Sequence, residues 1–135
     1  EETSTNRLRL VNIGFIRTKK ANKVSLKDIS DLLSKFGIKA EISKSNGVIH
    51  ISPEGITKAA GLKFLANFLG ISLKNIAAIG DALNDIDMLK SVGFSVCPRN
   101  AHPLVKRTVK LVIDERNGRA VARFAEILLS SKRKI

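Results

Sequence analysis

Ile76-Ala77-Ala78-Ile79-Gly80-Asp81-Ala82-Leu83-Asn84-Asp85 is the stretch of this sequence best equipped for chemistry. An apolar strand runs into a glycine turn that delivers two carboxylates and an amide to one place. Asp81 offers oxygen to a divalent cation such as Mg²⁺, a hard ion that prefers carboxylate and water and takes only one or two protein carboxylates. Asp85, one turn on, can hold a metal-bound water or orient a neighbouring cation. Asn84 can donate an amide hydrogen to a phosphate oxygen, and the helix that starts nearby adds positive dipole. Lys58, one predicted helix upstream, supplies a mobile point charge for a phosphate and for a nearby carboxylate. Each part alone has an ordinary structural explanation. Gly-Asp after a strand is often a turn with an N-cap, a lysine at a helix start is usually solvated, and Asp87 reads as a first-turn helix acid. The combination, in this order and spacing, is far more specific and describes a site for a divalent metal and a phosphate.

The elements that must position these residues alternate between helix and strand. Residues 58–69 read as a helix with Leu62, Leu65, Phe68 and Leu69 on its apolar side, stopped by Gly70. Ser72 starts a short turn before a strand at 76–79. Asn84 to Lys90 is helical, Phe94 to Cys97 a strand ended by Pro98, His102 to Thr108 a short helix and Val109 to Ile113 a strand. Gly118 to Ser131 closes the chain as a helix with Val121, Phe124, Ala125, Leu128 and Leu129 inward. Short apolar strands alternating with helices indicate a parallel sheet covered on both faces, with ligands at the carboxyl ends of its strands. Gly80–Asp85 lies at such an end.

The first part reads as α+β instead. Leu8, Leu10, Ile13 and Phe15 suggest a strand bent at Asn12 or Gly14. Ser25-x-x-Asp28 is a capping box that opens a helix with Leu26, Ile29, Leu32, Leu33 and Phe36 on one face and Gly37 as its stop. Residues 38–43 and 47–52 read as two strands, joined at Asn46-Gly47 by a hairpin turn that needs positive φ. The boundary between the two parts falls near Pro53-Glu54-Gly55, giving domains at 1–53 and 54–135.

A chain of 135 residues with 44% hydrophobic content can bury a core in one ordinary domain or two small lobes. Its net charge of +12 attracts anions: phosphorylated metabolites, nucleic acid or acidic surfaces. The basic residues are spread along the chain apart from Lys19-Lys20 and Lys132-Arg133-Lys134. With six Phe and neither Trp nor Tyr, stacking platforms for single-stranded nucleic acid are nearly absent. Nucleic acid is therefore an unfavoured partner. The single cysteine, Cys97, excludes an internal disulfide and a cysteine zinc cluster, and its apolar neighbours mark a buried thiol. A reducing, cytoplasmic setting fits. No apolar run approaches a membrane span, and the charged start does not read as a secretory signal.

Gly55-Ile56-Thr57-Lys58-Ala59-Ala60-Gly61-Leu62, then Leu69-Gly70-Ile71, then Ile79 to Leu89 resemble the haloacid dehalogenase superfamily of phosphohydrolases, and within it archaeal phosphoglycolate phosphatases and related sugar-phosphate phosphatases. The resemblance continues through Gly93-Phe94, Cys97-Pro98-Arg99-Asn100-Ala101 and the last helix, and extends weakly back through Asn6-Arg7 and Gly14-Phe15. It implies a Rossmann-like half-core of three strands alternating with helices, preceded by part of an α+β cap. It makes Lys58 the basic residue whose charge stabilises a phosphorylated intermediate, Asp81 the Mg²⁺ ligand and Asp85 a metal partner through water or from behind the ligands. Asn84 and Asn100 would contact substrate or phosphate, and Arg7 is the cap residue nominated for substrate. His50 and His102 are expected in core or capping positions.

The sequence departs from that family in one respect. A nucleophilic aspartate at the end of the first core strand, an acid two positions later and a phosphate-holding Ser or Thr are not found in the right context. The sole Asp-x-Asp, Asp85-Ile86-Asp87, lies inside the motif already assigned. The resemblance thus implies the carboxyl-terminal half of a phosphatase, with the nucleophile on an amino-terminal segment or a complementing chain. Such a split would bury a large interface. The expected activity is Mg²⁺-dependent hydrolysis of a small phosphorylated metabolite, phosphoglycolate or a sugar phosphate, with phosphomutase chemistry and a homo-oligomer both left open. Two rival readings stand beside it: a basic module that binds anions or nucleic acid without catalysis, and an inactive interaction subunit.

Overall fold

The computed structural model describes residues 1–4, 6–8, 11–16, 18, 23–45 and 47–132. The chain divides into two compact units, Glu1–Thr57 and Lys58–Ile135.

The first unit is an antiparallel sheet with one helix. Strands β1 (Ile13–Ile16), β2 (Ala40–Ser45) and β3 (Val48–Pro53) are ordered β1-β3-β2. Helix α1 (Leu26–Lys35) opens on the expected capping box: Ser25 Oγ accepts the Asp28 N–H at 3.1 Å and Asp28 Oδ2 accepts the Ser25 N–H at 2.7 Å. Those bonds favour the ionised carboxylate and hold the Asp28 acid below its ordinary value. Gly37, at φ +71°, ends the helix, with Ile38 N–H bonded to Leu33 O and Gly37 N–H to Ser34 O. Residues 38 and 39 are spent on this cap and its exit, so β2 begins at Ala40, later than the spacing suggests. The hairpin then pairs Ser45 with Val48 across Gly47 at φ +81°, while Asn46 lies outside the described residues.

The expected strand through Leu8 and Leu10 is not observed as such. Asn6–Leu8 is a 3₁₀ turn, and Leu10 lies outside the described residues. Asn6 explains the turn: its Nδ2 donates to Gly14 O at 2.9 Å and its Oδ1 accepts the Gly14 N–H at 2.8 Å. The side-chain amide thus extends an edge of β1 that the first residues also bond, Thr3 N–H donating to Gly14 O at 3.0 Å and Ile16 N–H to Glu1 O at 2.8 Å. A Cβ on Gly14 would stand 3.0 Å from Thr3 Oγ1 and 3.3 Å from Asn6 Oδ1, so a larger residue would push these side chains back from the edge.

The second unit is a parallel sheet, β4 (Ala77–Ile79), β5 (Phe94–Pro98) and β6 (Leu111–Ile113), in that order. Between and after the strands run α2 (Lys58–Phe68), α3 (Ile86–Ser91), α4 (Pro103–Lys106) and α5 (Asn117–Lys132). Strand alternation sends Val96 to one face and Cys97 to the other. Val96 joins Ile113, Ala120 and Phe124, and Cys97 joins Leu89, Ala101 and Val105. Both faces of the sheet are thus covered, as its parallel pairing requires.

Two helix faces differ from expectation. On α2 the buried residue is Ala66, whereas Leu65, Phe68 and Leu69 are exposed, Phe68 at 78%. Among the described residues β4 has a neighbour on one side only, so no further strand underlies the outer part of α2. On α5 the buried line is Ala120 and Phe124, continued by the half-buried Ile127, whereas Val121, Ala125, Leu128 and Leu129 are exposed. A three-stranded sheet is narrow, and it covers a single i, i+4, i+7 stripe of the helix.

Candidate functional site

The site is built where β4 ends. Gly80 continues the ladder, its N–H donating to Val96 O at 3.2 Å, and the chain then turns through the 3₁₀ segment Leu83–Asp85 into α3. A Cβ on Gly80 would lie 2.6 Å from Asp85 Cβ and 2.9 Å from its Oδ2. Glycine is required there so that the Asp85 carboxylate can fold back beneath the strand end.

Asp85 is the hub. It is 2% exposed. Its Oδ2 accepts the N–H groups of Asp81 and Ala82, each at 3.0 Å, and its Oδ1 pairs with Lys58 Nζ. Lys58 stands at the first position of α2 with its side chain half exposed, so the ammonium is tethered on one side and open to solvent on the other. The buried carboxylate is compensated by one charge and two oriented N–H dipoles, the condition under which a buried charge is tolerated. Of the alternatives for Asp85, orientation of a neighbouring cation is the one this geometry displays, the cation being Lys58.

Asp81 has the complementary character. Its main chain is held by Asp85 and by the His102 N–H, which donates to Asp81 O at 2.9 Å. Its side chain is exposed, with no hydrogen bond or ion pair among the described residues. Asn84, in the same turn, has a buried Oδ1 without a hydrogen-bond partner. An orphaned buried oxygen calls for a donor or a cation. Rotating the amide by half a turn presents Nδ2 instead, the donor expected for a phosphate oxygen. One free carboxylate and one unsatisfied oxygen, with no cluster of three or more His, Cys, Asp or Glu among the described residues, fit a hard ion that keeps most of its waters.

The structure brings Lys58, Asp81, Asn84 and Asp85 into one turn and its tether. Asn100 is placed differently. Just past β5, its Nδ2 donates to Asn117 Oδ1 at 2.8 Å and its Oδ1 accepts the Asn117 N–H at 3.1 Å. The amide ties the end of β5 to the start of α5, where Asn117 adopts φ +50°. Arg7 is exposed on the Asn6–Leu8 turn of the first unit. His102 caps α4 through Nδ1, as a capping histidine should, and His50 sits on β3 opposite Gly14. Sequence reading missed the bond from His102 to Asp81. The signal available was Pro103, which disfavours helical geometry at the residue before it and so marks His102 as extended, though not as a partner of Asp81.

A family model for haloacid dehalogenase-like hydrolases matches residues 2–124. The phosphoglycolate phosphatase of Methanothrix thermoacetophila is 39% identical over 99 residues, covering 73% of this chain and 43% of that protein. The phosphoglycolate phosphatase of Methanopyrus kandleri is 33% identical over 120 residues, covering 86% of this chain and 52% of that protein. The chain thus spans about half the length of these curated relatives. The crystal structure of the Thermoplasma acidophilum protein 0175 superposes with a TM-score of 0.77 at 23% identity, covering 93% of this chain and 53% of that one, which shows a shared fold. The strand-end turn is therefore set in a known framework: the chain belongs to the haloacid dehalogenase-like hydrolase family.

Proposed function

We propose that this chain is the part of a Mg²⁺-dependent phosphatase that holds the metal and the phosphate, acting on a small phosphomonoester such as phosphoglycolate or a sugar phosphate. The observation that carries the reading is the division of labour in the β4 turn. Asp85 is buried and fully engaged, Lys58 is anchored yet open to solvent, and Asp81 keeps a free carboxylate. The phosphatase names of the relatives support the substrate class.

Asp81 would hold Mg²⁺, with Asn84 Oδ1 close by in the same turn. When bound, the ion supplies positive charge to the transferring phosphoryl group. Lys58, oriented by Asp85, binds phosphate oxygens with its exposed side and offsets the charge that accumulates as the ester bond breaks. The Asp85 pairing keeps the ammonium from drifting without neutralising it, since the carboxylate also serves two N–H groups.

The nucleophile is proposed to come from a further aspartate on a strand beside the free edge of β4. That edge has no partner among the described residues, and the chain spans about half the length of these relatives. The aspartate oxygen would form a bond to phosphorus as the ester oxygen leaves and takes a proton, and water would then cleave the acyl phosphate. The test is phosphate release from phosphoglycolate and from sugar phosphates by the full-length protein, with and without Mg²⁺. Asp81→Asn should remove the Mg²⁺-dependent turnover, and full activity in that variant would refute the assignment.

A further inference from the structure

Asp81 is clamped at both of its peptide groups while its carboxylate is left free. Its N–H donates to Asp85 Oδ2 at 3.0 Å and its C=O accepts the His102 N–H at 2.9 Å. Fixing the peptide planes on either side of Cα fixes the direction in which the side chain leaves. One of these supports comes from within the turn. The other comes from the loop after β5, across the end of the sheet, and acts on the Asp81–Ala82 peptide whose Ala82 N–H also donates to Asp85 Oδ2 at 3.0 Å.

The His102 donor is itself held from several sides. Pro103 restricts the residue before it to extended geometry, and His102 has φ −56° and ψ 141°. Its Nδ1 accepts the Leu104 N–H at 3.2 Å, and its C=O accepts the Lys106 N–H at 3.1 Å. Ala101 and Val105, on either side, are buried in the core with Leu89 and Cys97. The N–H of His102 thus projects from a turn that cannot easily rotate.

We propose that His102 is a positioning residue, whose main-chain N–H, steadied by the side-chain cap on α4, aims the Asp81 carboxylate at the cation. The inference rests on reading Asp81 as the Mg²⁺ ligand. Groups behind a ligand set its orientation, and a ligand that is aimed before binding loses less freedom when it binds. Without the bond, the Asp81–Ala82 peptide is held only through its Ala82 N–H, the Asp81 C=O can tilt, and affinity falls by the fraction that remains competent.

Three substitutions in the full-length protein separate the bonds, read by Mg²⁺ titration calorimetry beside a thermal midpoint. His102→Pro tolerates φ −56° but deletes the N–H, and the Mg²⁺ Kd is expected to rise about 10-fold or more. His102→Ala keeps the N–H and loses the cap, and its Kd rises by about three- to fivefold. His102→Asn restores a capping oxygen and should bring the Kd back to within about twofold of the parent. A folded His102→Pro variant with the parental Kd overturns the proposal, whatever its midpoint. If His102→Pro does not fold, the remaining pair decides: equal Kd values for the Ala and Asn variants overturn it. Asp81→Asn is the control for the underlying reading. If it binds Mg²⁺ like the parent, the metal assignment fails and takes the His102 role with it. If it loses Mg²⁺ while every His102 variant binds normally, the His102 role alone fails.

Discussion

Asp85→Asn keeps the shape of the hub and removes its charge. The residue is 2% exposed, and its carboxylate serves two N–H groups and the Lys58 ammonium. Hydrogen bonds to a charged group contribute about 1.5–3 kcal/mol against about 0.5–1.5 for neutral pairs, so weakening two of them costs about 1–3 kcal/mol. Loss of the Lys58 attraction adds only about 0.5–1 kcal/mol, because the lysine side chain is 52% exposed and water replaces its partner. An Asn that keeps Oδ1 on the two N–H groups also turns its own donor toward the ammonium. The expected total is about 1.5–4 kcal/mol. Lys58→Met is a milder change: Asp85 keeps both N–H donors and the lost partner is itself half exposed, so the cost is about 1 kcal/mol. The assay is urea unfolding of both variants, paired with amide hydrogen exchange at Asp81 and Ala82, whose protection should fall in Asp85→Asn before global unfolding. If Asp85→Asn lies within about 0.5 kcal/mol of the parent, a range typical of surface substitutions, or if Lys58→Met costs as much, Asp85 is not the hub.

The same geometry makes other positions informative. Gly80→Ala drives a Cβ to 2.6 Å from Asp85 Cβ, and the overpacking should cost about 1–3 kcal/mol and weaken Mg²⁺ binding; an unchanged urea midpoint would contradict this. Asp28 has its acid lowered from 3.8 by the Ser25 bonds, so its capping stabilisation is present above pH 3.8 and is lost as pH falls through the lower folded value. Urea unfolding from pH 7 down to pH 3 should show this loss in the parent and a smaller one in Asp28→Asn; parallel profiles would refute the pairing. Burial pushes the Cys97 thiol up from 9.0 and leaves it 0% exposed, so it should react with a thiol-specific disulfide reagent only on unfolding. Rapid labelling of the native protein at pH 8 would count against this.

The local signals in the sequence were read correctly where a few neighbouring residues decide the outcome. Ser25 and Asp28 cap a helix, Gly37 ends it, and Gly47 permits a tight hairpin, because each acts within one turn of chain. The alternation after residue 58 was enough for a parallel sheet with its turn at the carboxyl end of β4. The misreadings share one cause. Leu65 and Phe68 of α2, and Leu128 and Leu129 of α5, lie at spacings that suit burial, but spacing states only which residues share a face. Whether that face is covered depends on the strands that lie against it.

Residue types and their order thus displayed the two carboxylates and the amide of the Gly80–Asp85 turn, the basic partner at Lys58 and the two-part organisation of the chain. Tertiary structure decided how those groups divide the work. Asp85 reaches back to Lys58 only because α2 packs against α3, and the Asp81 C=O meets the His102 N–H only because β5 brings the following loop across the strand end. Asn100 turns toward Asn117, 17 residues away, and Asn6 toward Gly14, 8 residues away, through contacts that also form only on folding. Periodicity and capping are short-range properties that a sequence displays directly. The direction of a carboxylate is set by hydrogen bonds between segments that meet only after the chain has folded.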